Sequence, residues 1–277
     1  VTAIREHKDA TDEQRAVREI NSGIIAVEAG FLVEAIKRLE SDNAQGELYL
    51  TDIAGLAFDD GRPVGAHLLE DVWQTEGVND RAQLARLGRE LNRRQTQHWM
   101  SEGVTIVDPD TTWIDSAVTL APDVTLLPGT QLLGATAVAQ GATIGPDTTL
   151  RNVEVGVNAT VIRTHGSDAV IGDDATVGPF AYLRPGTELG AKGKIGTFVE
   201  TKNAHIGDGA KVPHLSYVGD ADIGEGTNIG AGTIFANYDG VNKHRTSVGK
   251  HARTASNNTF VAPVTIGRRR GSNSSHR

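Results

Sequence analysis

An apolar residue returns at every sixth position through the second half of this chain, and few folds accept that pattern. Ile114, Leu120, Leu126, Leu132, Val138, Ile144 and Leu150 keep the spacing unbroken. Shorter runs follow at Ile171, Val177, Leu183, Leu189 and Ile195, then at Ile206, Val212 and Val218. Two more are Ile223, Ile229 and Phe235, and Val248, Thr254, Phe260 and Ile266. Glycine often comes next, as at Gly145, Gly172, Gly178 and Gly207. An amphipathic helix needs a period of about 3.6 residues and a half-buried strand one of about 2. A hexapeptide period builds a parallel β-helix instead. Each unit gives a short strand and a turn, and three units close a triangular coil of about eighteen residues. The repeated aliphatics fill its interior.

Composition fits a narrow coil, which favours small and β-branched side chains: 32 residues are Gly and only 5% are aromatic. The net charge of −8 argues against a general binder of nucleic-acid backbones, although local basic spots can still hold a sugar phosphate. The sequence has no Cys, which excludes disulfides, zinc-thiolate sites and a thiol nucleophile. No apolar run is long enough to span a membrane and no secretory signal is read at the start, so a cytoplasmic location without a membrane partner is expected.

The organisation changes near residue 103. Residues 1–78 read as an α/β fragment: 21–27 suit a buried strand, 31–39 and 51–58 have helical character, and 63–69 read as a short strand. So few elements do not cover both faces of a sheet, and the tail of a larger α/β domain is expected. A small free-standing subdomain is the alternative. Residues 79–103 form a linker helix, capped by Asn79-Asp80, with Leu84, Leu87 and Leu91 as its apolar stripe. Arg86, Arg89, Arg93 and Arg94 read as its solvated side. The β-helix occupies residues 104–267, roughly nine coils. Proteins built from hexapeptides wind left-handed, against the usual crossover rule, so a left-handed parallel β-helix is expected. Residues 236–245 abandon the period and are expected to be extruded as a loop on one face, often the binding face. Residues 268–277 hold no aliphatic side chain where a solenoid needs a capping element, and read as a non-native tail rather than a genuine basic one.

Arg184 and Lys202 share a register position one coil apart, about 4.8 Å along the axis. Stacked like charges repel unless an anion lies between them, and Arg with Lys suits a phosphate. Neutralisation by Glu188 or Glu200 is the alternative. His214 falls within one coil of Glu200, Lys202 and Tyr217. A carboxylate such as Glu200 that orients the ring would make it a general base. A merely structural histidine and a metal site are the alternatives, since His165, His205 and His214 are enough for three imidazole ligands.

Particular stretches narrow the reading. In front they are Glu6-His7-Lys8-Asp9-Ala10-Thr11, Glu19-Ile20-Asn21-Ser22-Gly23, Asn43-Ala44-Gln45-Gly46-Glu47-Leu48-Tyr49 and Gly77-Val78-Asn79. In the β-helix they are Leu183-Arg184-Pro185-Gly186, Phe198-Val199-Glu200-Thr201-Lys202, Gly219-Asp220-Ala221, Asn228-Ile229-Gly230-Ala231-Gly232 and Asn237-Tyr238-Asp239-Gly240. With these stretches the chain resembles a bacterial bifunctional family. That family fuses N-acetylglucosamine-1-phosphate uridyltransferase to glucosamine-1-phosphate acetyltransferase and makes UDP-N-acetylglucosamine. The resemblance covers residues 1–267 and includes the extruded loop.

It implies a Rossmann-like uridyltransferase portion over 1–78 and an acetyltransferase over 104–267. It implies that His214 is the general base and that Arg184 and Lys202 bind the sugar phosphate. Tyr217, Asn228 and Lys243 would be further substrate contacts, and Ala231, Asn237, Tyr238 and Ser256 acetyl-CoA contacts. Glu6, Asn21 and Asn79 would hold the sugar nucleotide, with Asn79 also a Mg²⁺ ligand. It further implies a homotrimer, with glucosamine 1-phosphate and acetyl-CoA as substrates and UDP-N-acetylglucosamine as the final product. The family's Gly-rich nucleotide loop and catalytic Asp are not in this sequence, nor are its coils beyond the equivalent of Gly267. The expectation is therefore a chain shortened at both ends and impaired in both activities. Two other classes stay open: a β-helix that only oligomerises or regulates another sugar-nucleotide pyrophosphorylase, and a trimeric metal hydratase.

Overall fold

A computed structural model describes residues 1–267. The expected non-native tail, 268–277, lies outside the described residues. The chain divides into two compact units, Val1–Leu87 and a second beginning at Gly88.

In the first unit, helix Ala29–Ile36 starts where the Glu28 carboxylate accepts the backbone N–H groups of Gly30 and Phe31, both at 2.8 Å. That cap satisfies donors the first turn leaves free. Phe31 and Ala35 then pack on Ile53 and Ala57 of helix Ile53–Asp59. Among the described residues this unit contains no strand, so the two strands expected over 21–27 and 63–69 are not formed. Residues 21–27 and 63–69 form no ladder, and Ile24 is 77% exposed. A strand is stabilised by its hydrogen-bonded neighbour, and neither run finds one.

Helix Arg81–Ser101 begins where Asp80 Oδ1 accepts the Gln83 N–H at 2.7 Å. The expected leucine stripe is corrected: Leu84 and Leu91 are exposed, while Asn92 and Thr96 are buried. Polar side chains win this face because Asn92 does the work of a strand edge. Its Nδ2 donates to Thr112 O at 2.8 Å and its Oδ1 accepts the Ile114 N–H at 3.0 Å. The first coil's open edge is thereby closed. Trp99 packs on the core beside it.

From Thr105 to Ile266 the chain winds as a parallel β-helix of three faces. Register identifies them. The first runs through Thr105, Thr125, Thr143 and Thr160 to Lys194 and Lys211. The second runs through Trp113, Gln131, Thr149, His165, Tyr182, Glu200 and Tyr217. The third runs through Thr119, Ala137, Glu154, Val170, Glu188, His205 and Asp222. The period-six aliphatics point inward, Leu126, Leu132, Ile144, Leu150 and Leu183 being completely buried.

Coil length is not constant. Leu126 pairs with Ile144 and Leu132 with Leu150, eighteen residues on, yet Val161 pairs with Val177, sixteen on. The shorter coils turn corners on one left-handed residue, such as Asn152 (φ 52°), Asn158 (φ 55°) and Asp168 (φ 47°). Asn and Asp tolerate that region better than most residues. This explains why the period lapses between Leu150 and Ile171 while Val153, Val155, Ala159 and Val161 stay buried. The longest step is from Ala221 to Thr246, where residues 237–245 leave the coil.

Candidate functional site

The site is assembled from register on the second face. Tyr182 pairs with Glu200 and Glu200 with Tyr217, so Arg184 and Lys202 fall one coil apart in one column. Lys202 in turn pairs with Gly219. Arg184 Nη1 donates to Glu200 Oε1 at 2.9 Å, and this bond raises the arginine's pKa. Glu200 therefore neutralises Arg184, and among the described residues no hydrogen bond joins it to His214. The two side chains meet because Glu200 lies one coil up and points outward from the same face.

Around Lys202 positive charge is in excess. The Lys243 ammonium beside it is the first cause of a lowered Lys202 pKa, burial adds to it, and Arg184 contributes further. Asp220 opposes the shift, with its Oδ2 at 3.8 Å from Lys202 Nζ. Burial pushes against ionising Asp220, but hydrogen bonds from Asn203 and Asn237 and the charge of Lys202 bring its pKa below the ordinary value. Three cations against two committed carboxylates leave a place for an anion.

Gly219 makes the space. A Cβ there would lie 2.4 Å from the Tyr217 hydroxyl and 2.8 Å from Asn237 Nδ2. Tyr217, Lys202 and Asn237 therefore converge over a residue with no side chain. The loop supplies Asn237, Tyr238 and Lys243 from one hairpin-like turn, with Tyr238 and Lys243 bridged across it. Arg245 anchors its far end: its Nε and Nη2 reach the two Asp222 oxygens at 2.6 Å, and it also donates to Asn203 O and Ala221 O.

His214 ends the strand Lys211–His214, at the corner before Tyr217. Its ring is exposed and makes no hydrogen bond among the described residues. The same corner on the next coils brings Ala231 and then Ser256: Gly232 N–H donates to His214 O and Asn257 N–H to Ala231 O. Asn228 lies on the first face between Lys211 and Arg253. An exposed apolar column precedes His214 along this edge: the Phe180 and Phe198 rings stack 5.4 Å apart, and Leu215 follows. Sequence reading missed Gly219, Asp220, Asp239 and Arg245 as site builders. For the first three the signal lies in the Gly219-Asp220-Ala221 and Asn237-Tyr238-Asp239-Gly240 stretches, and for Arg245 in the break of the period over 236–245.

The three imidazoles of the alternative metal site lie on different parts of this chain. His165 is on the second face beside Tyr182, His205 on the third bonded to Glu188 at 2.8 Å, and His214 at the corner after the first. Among the described residues no group of three His, Cys, Asp or Glu side chains is placed to hold a metal. Nor do the residues present fit Mg²⁺, which needs six oxygens. Asn79 supplies one amide oxygen, its backbone N–H is bonded to Gln83, and Glu6 is engaged by Thr51 at 3.1 Å. Asn21 is exposed, and no hydrogen bond links Glu6, Asn21 and Asn79. A groove of about 750 Å³ lies on the third face, lined by Gly172, Gly190, Gly207 and Gly224. It contains neither Lys202 nor His214. Among the described residues no helix is long and apolar enough to cross a membrane.

A hexapeptide β-helix with a cation cluster and an exposed corner histidine is the class that fold and site define. No protein-family model matches the chain. Curated relatives do. It is 64% identical over 267 residues to "Bifunctional protein GlmU" of Pseudarthrobacter chlorophenolicus, covering 96% of this chain and 54% of that protein. Identity to the same-named protein of Kineococcus radiotolerans is also 64%, with the same shares covered. Among solved structures, a UDP-N-acetylglucosamine acyltransferase from Campylobacter jejuni matches 60% of this chain and 71% of its own. That match has 19% identity and a TM-score of 0.31. The chain is a relative of the GlmU proteins and spans about half the length of the curated relatives it matches.

Proposed function

We propose that the β-helix transfers the acetyl group of acetyl-CoA to the amine of glucosamine 1-phosphate, a step of UDP-N-acetylglucosamine biosynthesis. The observations behind this reading are the meeting of Lys243 from the loop with the Arg184–Lys202 column, and an unengaged His214 at the corner before Tyr217. The phosphate relieves the repulsion around Lys202. Tyr217, gathered with Asn237 over Gly219, meets the sugar, with Asn228 as a further contact, and Asn237 faces acetyl-CoA. The neutral amine, its ammonium proton lost to solvent, attacks the thioester carbonyl while a free His214 nitrogen takes a proton from the attacking nitrogen. The C–S bond breaks, and the imidazolium returns the proton to the departing thiolate. Acetyl-CoA runs along the corner marked by Ala231 and Ser256, with Tyr238 from the loop beside it. Direct transfer needs no covalent enzyme intermediate.

The left-handed winding, a cytoplasmic location and a homotrimer belong to the same reading. The exposed Phe180–Phe198–Leu215 column supports cover by another copy. Uridyl transfer to N-acetylglucosamine 1-phosphate belongs to the other activity of a bifunctional protein, and residues 1–78 as described hold no Mg²⁺ set for it.

The test is His214→Ala in the full-length protein, followed by thiol release at saturating acetyl-CoA. Turnover is expected to fall by roughly 10²–10⁴-fold, with sugar-phosphate affinity little changed. Near-normal kcat in that variant would remove His214 from the mechanism.

A further inference from the structure

Resting on that reading of the anion site, we propose that Asp239 is its positioning residue: the carboxylate fixes the turn that carries Lys243 to the side of Lys202. Beyond Ala236 the loop touches strand geometry at the bridge between Tyr238 and Lys243. A lysine on such a loop has many rotamers and a mobile backbone to give up before it can meet a ligand. Asp239 removes most of the backbone share. Its Oδ1 accepts the N–H groups of Val241 at 2.8 Å and Asn242 at 2.6 Å. Its Oδ2 accepts the His244 ring Nε2–H at 2.7 Å, and its own N–H donates to Asn242 O at 3.1 Å. One carboxylate thus holds both sides of the turn, and Lys243 is the residue between its two bonded ends, Asn242 and His244.

The stem of the turn is fixed to the coil. His244 N–H donates to Asn237 O at 2.8 Å, and the Asn237 amide is bonded to Asp220, the carboxylate nearest Lys202. Arg245 clamps Asp222 on the coil side. Position then passes from Asp220 through Asn237 and the turn to Lys243. All the hydrogen bonds of Asp239 stay within the loop, so its removal leaves the β-helix ladders untouched. The turn bonds also hold its pKa down to about 2, so it stays an acceptor throughout the neutral range.

The experiment measures glucosamine 1-phosphate binding by calorimetry, with inorganic phosphate as a second probe, for Asp239→Ala, Asp239→Asn, Lys243→Ala and the double alanine variant. Asp239→Ala and Lys243→Ala are each expected to weaken binding about tenfold, the scale of one charge-assisted contact. The double variant is expected to lose no more than either single change, because the two residues act as one unit. Asp239→Asn keeps the Oδ1 acceptor and is expected to restore affinity to within about threefold of the parent. If Asp239→Ala does not fold, His244→Ala removes the Oδ2 bond alone and is expected to weaken binding about threefold. The proposal is overturned if Lys243→Ala weakens binding while Asp239→Ala or its substitute does not, if the two losses add, or if Asp239→Asn is as weak as Asp239→Ala. If Lys243→Ala itself has no effect, the anion-site reading fails first, which separates the two ideas.

Discussion

The early coils and the later coils of the β-helix follow different rules. From Trp113 to Leu150 the turns repeat every eighteen residues, the interior is aliphatic, and outward side chains meet in isolated pairs such as Gln140 with Asp123. From Arg184 to Arg245 the spacing shortens to seventeen, then jumps to twenty-five, and the outward side chains interlock. The regular half is a spacer whose sequence answers mainly to packing. In the irregular half a missing side chain at Gly219, a buried Asp220 and an extruded loop each depart from the repeat, and together they build the site. In a solenoid each coil touches only its neighbours, so one half can vary without retuning the other.

That separation can be broken by experiment. The largest effect is expected from Leu132→Ala, which empties a completely buried position in the regular half. It should cost about 2–5 kcal/mol in denaturant unfolding, while glucosamine 1-phosphate affinity stays within about twofold. A large affinity loss would show that the halves are coupled. Smaller is Gly219→Ala, whose Cβ would press on the Tyr217 hydroxyl and Asn237. Because both contacts are flexible ends, stability should fall little, but sugar-phosphate binding should weaken about tenfold. An unchanged affinity would take Tyr217 out of the site.

The smallest effect is one of pH. Lys202 has its pKa lowered, first by Lys243 and then by burial, so part of its charge is lost below the ordinary lysine range. An anion favours the protonated form, so phosphate affinity should fall as pH rises through the lowered Lys202 pKa. Lys243→Ala removes the largest cause and should move that fall to higher pH. Titration of binding against pH in the two proteins reads the shift directly, and superimposable curves would rule it out.

The β-helix itself was legible in the sequence because six-residue spacing leaves interior positions no other geometry. Residues such as Val153 and Val161 escaped that reading, since one-residue corners at Asn152 and Asn158 change the spacing without changing the inside. The stacking of Arg184 on Lys202 followed from the period alone. The pairing of Glu200 with Arg184 did not, since which of two nearby carboxylates reaches the guanidinium depends on side-chain direction. In residues 1–78 local propensity found the helices but overstated the strands, because a strand is a property of two segments and not of one.

The chain by itself determined the axis, the coil, the inward residues and the place where the repeat is interrupted, because period and burial are one-dimensional consequences of side-chain order. Only the tertiary structure decided that Asn92 closes the first coil, that Gly219 clears room for Tyr217, and that the loop folds back to set Lys243 beside Lys202. Those outcomes turn on a few hydrogen bonds and close approaches between distant residues, and no periodic signal in the sequence records them.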